Sequence, residues 1–456
     1  MSSNQPKSSA NRDSFASSLG ILLAMTGSAV GLGNLWRFPY LVGENGGAAF
    51  IIVYLVCVIF ICMPIMACEF IIGRRSQANA FGAYKKLGGN KGWKVAGLLS
   101  VLAAAFILSF YSVVGGWSIR YMLMSFGLRF TSGGGIQPES TFNTFVTGTW
   151  PPILYTLAFL LCTGVIIVAG VKNGIEKFTK TLMPVLFVLM VILAVRSMTL
   201  PGAGEGVRYL FKPDFSKFTA SSAIAALGQA FFSLSLGCGT ILTYASYVPR
   251  SENIFTCGAK TTILDTLFAL IAGCAIMPAV FAYGITPGQG PGLFFVTLPA
   301  IFAELPAGGI AAILFFVSLF LAALTSAISL LEVVIAFLIE ECKMRRAAAV
   351  AVSMSVFVVL AVLCSLSQGP LIHVKLFTLN IFDLFDYVSS NVLMTFGALL
   401  AVLFVGHKLS RADILDELSS GGLHPISAGL FKTFYFIIRW AAPVVIIGIL
   451  IAGLLG

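Results

Sequence analysis

The chain has 456 residues, of which 58% are hydrophobic and only 10% are charged. Soluble domains carry about 25% charged residues, so a chain this apolar, with a mean hydropathy of +0.97, requires the lipid bilayer as its solvent. The formal net charge of +10 comes from the segments between apolar runs, and we do not interpret it as a sign of nucleic acid binding. The nine cysteines form no CxxC pair and the three histidines are far apart in sequence, which indicates neither a disulfide framework nor a metal cluster.

Apolar runs predict eleven membrane-spanning helices, spans 1 to 11, and therefore an all-α polytopic membrane protein. A spanning helix needs about 20 apolar residues, and the predicted spans lie near 15–41, 46–72, 95–126, 151–171, 175–197, 220–247, 254–283, 309–341, 346–367, 381–407 and 427–455. The split between spans 4 and 5 is placed near Gly174. Residues 200–219 are predicted to form a polar outer loop, and the Gly/Pro-rich residues 284–308 an external cap with short helices.

The distribution of Lys and Arg predicts the orientation of the spans, because cytoplasmic loops carry an excess of positive residues. With the N-terminus in the cytoplasm, 19 of the 28 Lys and Arg residues fall on the inside and 8 on the outside. An odd number of spans then places the C-terminus outside.

Spans 1 and 6 contain residues that interrupt a membrane helix. Span 1 carries Gly27, Gly31 and Gly33 next to Asn34, and span 6 carries a similar polar and glycine-rich stretch made of Gln229, Ser233, Ser235, Gly237 and Gly239. Close helix packing through Gly27 and Gly31 is one explanation. Interrupted spans at corresponding places in two halves of a chain favour another, the binding site of a transporter. Unwound backbone at membrane depth is tolerated only where protein covers it or where it lines a cavity.

Further polar residues lie inside apolar runs. Asp265 is either part of a functional site or a residue of the cytoplasmic headgroup region, and Glu69 is either an interface acid or part of a site. Glu332 lies in the middle of span 8 without an assignable partner. Thr325 and Ser326 are hydroxyl residues that could simply bond to their own helix.

Several sequence motifs resemble those of one transporter family. They are GSAVGLGNLWRFPY at 27–40, ENGGAAF at 44–50, FFSLSLGCGTILTYASY at 231–247, VTLPAIF at 296–302, ALTSAI at 323–328 and FDLFDYVSSN at 382–391. Together they cover nearly the whole chain and resemble the neurotransmitter:sodium symporters (solute carrier family 6), in particular their bacterial eleven-helix amino-acid transporters. The resemblance implies the leucine-transporter fold in a single domain over 1–456. Its first repeat would be spans 1–5 (about 15–197), its second spans 6–10 (about 220–407), and an additional helix would follow at about 427–455.

The resemblance also implies two sodium sites and a substrate site. The first sodium site would use Ala29, Asn34, Ser233 and Asp265 with the substrate carboxylate, and the second Gly27, Val30, Ala322, Thr325 and Ser326. Oxygen donors of this kind suit a hard cation. The substrate residues would be Ala29, Leu32, Gly33, Ile107, Tyr111, Phe232, Ser233, Ser235, Cys238, Ser326 and Leu330.

Gates follow from the same resemblance. Arg37, Gln229 and Asp386 would close the outer path, and Arg12 and Glu340 the inner path. Gly174 and Pro184 would let span 5 unwind and hydrate the second sodium site.

Two departures from the family pattern predict the kind of substrate and whether chloride is required. Amine-transporting members have an aspartate where this chain has Gly31, so the substrate is expected to bring its own carboxylate. Chloride-dependent members cradle the anion with four residues, which here would be Tyr54, Gln229, Ser233 and Ala269. Ala269 offers no hydroxyl and Asp265 supplies a fixed charge, so we expect no chloride requirement.

The sequence therefore predicts a sodium-coupled symporter for neutral, hydrophobic L-amino acids in the cell (inner) membrane, working by alternating access. Its partners would be the amino acid, sodium ions at two sites and the lipid bilayer, with no nucleic acid. A channel would require a continuous pore lined by repeated rings, and an amino-acid sensor without transport would be expected to have lost ion-site residues. No constellation of nucleophile and base indicates an enzyme.

Overall fold

The computed structural model describes residues 14–89, 92–131, 137–284 and 292–455. Nine continuous helices in these ranges are long and apolar enough to cross a membrane. They are span 2 (Ala48–Ser76), span 3 (Lys94–Phe126), span 4 (Trp150–Val168), span 5 (Val171–Met198), span 7 (Ile254–Ala282), span 8 (Gly308–Glu340), span 9 (Arg346–Leu366), span 10 (Ile381–Lys408) and span 11 (Ala428–Ala452). No strand occurs in the same ranges, and extended pairing is limited to one bridge between Leu376 and Leu379.

Spans 1 and 6 are broken, as their glycine and polar residues predict. Span 1 consists of Ser18–Ala29 and Gly33–Glu44, which are bent by 52° at the intervening residues. Span 6 consists of Ala220–Ser233 and Thr240–Ala245. Residues 234–239 between them include left-handed backbone at Ser235, Gly237 and Gly239. With these two, the predicted all-α arrangement of eleven spans is confirmed.

Short helices connect the spans. They comprise Ala80–Gly88, Pro138–Val146, Gly204–Phe211, Leu293–Glu304, Arg411–Leu418 and one 3₁₀ turn at Phe215–Lys217. The predicted short helix in the Gly/Pro-rich stretch is present as Leu293–Glu304, while residues 285–291 of that stretch lie outside the described ranges. The stretch at 200–219, expected to be a loop, contains the helix Gly204–Phe211 and the 3₁₀ turn Phe215–Lys217.

The boundary between spans 4 and 5 differs from the prediction. The chain turns at Gly170, whose φ of 87° is left-handed, whereas Gly174 lies within span 5. A methyl group on Gly174 would overlap the carbonyl oxygen of Ile166, so this glycine permits close packing of the two spans instead of ending one of them.

Packing places the two breaks next to each other in the interior of the bundle. Spans 3 and 8 form an extended contact, span 5 packs along span 7, and the first half of span 1 contacts spans 5, 7 and 8. Small residues permit this proximity: a Cβ added to Gly116 of span 3 would lie 2.6 Å from the backbone nitrogen of Thr156 in span 4. Membrane helices use such residues to approach closely.

Candidate functional site

The break in span 1 exposes backbone groups that helical hydrogen bonding would otherwise use. The Gly31 N–H donates to Asn34 Oδ1 at 3.0 Å, and the Leu32 N–H donates to the hydroxyl oxygen of Tyr111 at 3.2 Å. A methyl group on Gly31 would overlap the hydroxyl oxygen of Ser326 and lie 2.9 Å from that of Tyr111. No residue larger than glycine fits at position 31, because Tyr111 of span 3 and Ser326 of span 8 lie directly against the break.

The break in span 6 is braced by Glu69 and by span 10. The carboxylate of Glu69, only 2% exposed, accepts a hydrogen bond from the Gly237 N–H at 2.6 Å. This contact favours a site role for Glu69 over the interface acid that the sequence left open. Gly237 (φ 82°) also packs against the backbone of Met394 and Gly397 in span 10 so closely that no side chain fits.

Asn34, Ser233 and Asp265, three predicted ligands of the first sodium site, form one buried hydrogen-bonded group. Asn34 Nδ2 donates to Asp265 Oδ1 at 2.8 Å and to Ser233 Oγ at 2.9 Å, and Ser233 Oγ donates to Asp265 Oδ2 at 2.7 Å. Asp265 is fully buried. Its contacts with both breaks favour the site interpretation over a position among lipid headgroups. Ala29, the fourth protein ligand in the prediction, ends the first helix of span 1.

The predicted second sodium site brings together oxygen atoms of spans 1 and 8. Ser326 Oγ lies 3.1 Å from the carbonyl oxygen of Val30, and Thr325 Oγ1 lies 3.0 Å from that of Ala322. Thr325 thus bonds to its own helix, whereas Ser326 reaches across to the break. Gly27, the remaining predicted ligand, faces span 5, where a methyl group would meet Thr179 and Met183 at 3.2–3.3 Å.

A small central cavity of about 30 Å³ lies between the two breaks. Among the described residues that line it, none is charged; they are Ser28, Ala29, Gly31, Leu32, Gly33, Ile107, Tyr111, Phe232, Ser235, Cys238, Ser326, Leu330 and Met394. Ten of the eleven predicted substrate residues are in this set. Ser233 is not, because its hydroxyl belongs to the Asn34–Asp265 group, and Met394 of span 10 is a lining residue that the sequence analysis missed.

A larger vestibule of about 380 Å³ adjoins the central cavity, and both Arg37 and Asp386 line it. The Arg37 guanidinium lies 5.0 Å from the ring centroid of Phe232, and Asp386 Oδ1 accepts a hydrogen bond from Ser390 at 2.9 Å. Within the described part of the chain, Arg37 and Asp386 make no ion pair within 4 Å. Gln229, predicted to lie beside them, instead donates to the Gly33 carbonyl at 2.9 Å.

The predicted inner gate is described only in part, because Arg12 lies outside the described residues. Glu340 Oε2 accepts hydrogen bonds from the backbone N–H of Asn79 at 2.7 Å and from its side-chain amide at 2.9 Å. Glu340 is therefore tied to the loop after span 2.

The start of span 5 holds the start of span 1 through Glu176, which lies between Gly174 and Pro184. One carboxylate oxygen accepts from the Ala16 N–H at 2.7 Å, and the other from the Ser17 hydroxyl at 2.9 Å. Ser17 also caps the first helix by accepting from the Gly20 N–H at 3.1 Å. The structure shows this segment of span 5 as helix, with Pro184 inside it.

Glu332, whose partner could not be assigned from the sequence, pairs with Arg346 at the start of span 9. Arg346 Nη2 lies 2.6 Å from Glu332 Oε2, the Tyr247 hydroxyl donates to Oε1 at 2.8 Å, and Arg346 Nε donates to the Ile167 carbonyl at 2.9 Å. These contacts connect the ends of spans 4, 6, 8 and 9.

Comparisons with known proteins agree with this arrangement. A model of the sodium:neurotransmitter symporter family matches residues 12–134 and 150–455. The sodium-dependent transporter YhdH of Bacillus subtilis is 39% identical over 95% of this chain and 96% of its own length. A sodium-dependent transporter of Haemophilus influenzae is 37% identical over 97% and 98%, respectively. The crystal structure of MhsT in complex with L-phenylalanine superposes with a TM-score of 0.89 at 41% identity, over 97% of this chain and 100% of MhsT.

Proposed function

The chain belongs to the sodium:neurotransmitter symporter family, and from that premise we propose that it transports neutral, hydrophobic L-amino acids with sodium by alternating access. It has the leucine-transporter fold and is a multi-pass, sodium-dependent membrane transporter, not an enzyme. The observation that carries the proposal is the uncharged central cavity between two helix breaks, directly beside the buried Asn34–Ser233–Asp265 group.

The cavity supports an amino acid as substrate because it combines unwound backbone with apolar side chains. Unwound backbone at Leu32 and Gly33, together with the Tyr111 hydroxyl, would receive the substrate carboxylate. The other lining residues are apolar apart from small hydroxyls, so an ionised side chain would be buried without a partner, at a large cost in free energy. The complex of MhsT with L-phenylalanine, a neutral amino acid, supports this substrate class.

Two sodium ions would bind on either side of span 1. The first would lie among Ala29, Asn34, Ser233 and Asp265 and contact the substrate carboxylate. The second would lie among the oxygen atoms of spans 1 and 8, at Gly27, Val30, Ala322, Thr325 and Ser326. Carbonyl, hydroxyl, amide and carboxylate oxygens are the donors that hard cations prefer. Because the first ion shares the substrate carboxylate, sodium and amino acid would bind together.

Alternating access would move spans 1, 2, 6 and 7 as one bundle against the others. Arg37 and Asp386, which line the vestibule from spans 1 and 10, would approach each other when it closes, and Arg12 and Glu340 would separate. In this proposal the N-terminus is cytoplasmic and the C-terminus lies outside the inner membrane. Residues 1–456 form one domain, with repeats at about 15–197 and 220–407 and an additional helix at about 427–455.

The test is uptake of labelled leucine into proteoliposomes under an inward sodium gradient, with potassium as the control cation. Thr325→Val combined with Ser326→Ala removes two proposed ligands, whereas Ser318→Ala removes a buried hydroxyl that bonds only within span 8. Uptake should require sodium and should fail in the double variant but not in the control. Equal binding in sodium and potassium would contradict coupling, binding without uptake would indicate a sensor, and sodium flux without substrate would indicate a channel.

A further inference from the structure

Two cavities meet at Phe232 and Met394. The central cavity has a larger neighbour of about 160 Å³, here called the lateral cavity, which lies between spans 1, 6, 10 and 11. Phe232 and Met394 are the two residues that line both cavities. They therefore form the partition between the proposed substrate site and an adjacent space.

The backbone at Met394 is fixed by the second break. Its carbonyl lies against Gly237, and the carbonyl of Gly237 lies against Gly397 one turn further along span 10. At both glycines an added Cβ would overlap backbone atoms, and Gly237 has left-handed backbone with φ of 82°. The backbone of span 10 therefore has no room to come closer to the break, and adaptation of this wall to the size of a bound substrate falls to side chains.

A methionine side chain suits such a wall. It is unbranched, rotates about three bonds and has a polarisable thioether, so it fills gaps of varying shape. Met394 is 3% exposed, and the free space into which its side chain can turn is the lateral cavity. A branched or aromatic residue at this position would keep the partition fixed.

We propose that Met394 determines the largest substrate side chain that the transporter accepts, by moving aside so that a bulky aromatic group extends toward the lateral cavity. This inference rests on the proposed amino-acid function. It adds a specificity-determining residue on span 10, outside the spans that carry the two breaks, the carboxylate contacts and the sodium ligands. Small aliphatic substrates would require a smaller displacement of Met394 than aromatic ones.

The test compares tryptophan with leucine as competitors for labelled leucine in sodium, using purified wild-type protein, Met394→Ala and Met394→Phe. Leu393→Ala is the matched control, because Leu393 is an equally buried neighbour on span 10 (8% exposed) that lines neither cavity. In apolar pockets a single methylene changes discrimination about 10- to 200-fold. We expect Met394→Ala to raise the affinity for tryptophan relative to leucine about tenfold, Met394→Phe to lower it at least tenfold, and the control to leave the ratio unchanged.

The two Met394 variants should change the ratio of tryptophan to leucine affinity in opposite directions, so the test needs only one of them to fold. The midpoint of thermal unfolding shows which variant is folded. An unchanged ratio, or an equal loss of affinity for both amino acids, would overturn the role of Met394 while leaving amino-acid transport intact. A wild-type protein that binds no amino acid in sodium would overturn the proposed function and this inference together.

Discussion

Replacing Asp265 by asparagine tests whether a fixed negative charge supports sodium binding and makes chloride unnecessary. The Asp265 carboxylate is fully buried and accepts one hydrogen bond from Asn34 and one from Ser233. The Tyr54 hydroxyl lies 3.5 Å from Ser233 Oγ, and Ala269 is buried one helical turn after Asp265. The carboxylate thus lies beside Ser233 and Tyr54, two of the positions that the resemblance assigns to the anion site of chloride-dependent members.

The expected loss of sodium affinity in Asp265→Asn follows from these contacts. An amide keeps one acceptor oxygen but presents an NH₂ group where the second oxygen was, so the Ser233 hydroxyl can no longer donate at that position and both contacts lose the charge of the carboxylate. A hydrogen bond to a charged group contributes about 1.5–3 kcal/mol. A unit charge about 4 Å from a cation contributes a further ~4 kcal/mol at an effective dielectric constant of about 20. At 1.4 kcal/mol for each factor of ten, the lost attraction alone should weaken sodium binding about a hundredfold or more.

The assay is leucine uptake into proteoliposomes as a function of sodium concentration, in chloride and in gluconate, for wild type and Asp265→Asn. Asp416→Asn makes the same chemical change at a side chain that is 45% exposed and serves as the control. Wild-type uptake should be equal in both anions, and Asp265→Asn should be inactive or newly dependent on chloride. Wild-type uptake that collapses in gluconate, or a variant with unchanged sodium dependence, would refute the reasoning.

Three further predictions concern packing and buried charge. Gly31→Ala introduces a methyl group between the hydroxyls of Ser326 and Tyr111 and should reduce amino-acid affinity, measured by titration calorimetry, at least tenfold. The control Gly448→Ala, where a Cβ meets nothing within 4 Å, should have no effect. Equal affinities in the two variants would contradict the argument that Gly31 has no space for a side chain. Glu69→Ala leaves the Gly237 N–H without its acceptor, which costs about 1–3 kcal/mol. The midpoint of thermal unfolding of this variant should therefore fall further than that of Glu69→Gln, and equal midpoints would show that the hydrogen bond does not stabilise the protein. Arg346→Gln removes a cation that pairs with the buried Glu332 carboxylate and should destabilise the protein by about 3 kcal/mol. Glu332→Gln in the same protein should restore part of this loss, and strictly additive effects in the double-mutant cycle would exclude coupling.

The two breaks could be predicted because glycines and polar residues inside an apolar span have few explanations. The bend in span 1 follows Ala29, and the interruption of span 6 begins after Ser233, both inside the stretches that the sequence indicates. The motifs at these stretches also determine which partners meet, since Asn34 of one break bonds to Ser233 of the other.

Other features could not be read from the sequence because their signal is tertiary. Met394 is an apolar residue in an apolar span, and nothing local distinguishes it from residues that face lipid. Gly170 and Gly174 offer the same local signal for a turn, and only the packing of Gly174 against the preceding span decides between them. Arg346 looks like an ordinary residue at a helix start until spans 8 and 9 pack and bring it to Glu332.

Glu176 gives the proposed inward opening a kinetic consequence. Its carboxylate holds both Ala16 and Ser17, and the hydroxyl of Ser17 in turn caps the first helix. Unwinding the segment between Gly174 and Pro184 would carry this carboxylate away, so the first turn of span 1 would lose its anchor and its cap would be weakened in the same event. The start of span 1 and the start of span 5 are therefore expected to open cooperatively, with one shared activation barrier. Hydration of the inner path and release of the N-terminal segment would then have the same rate.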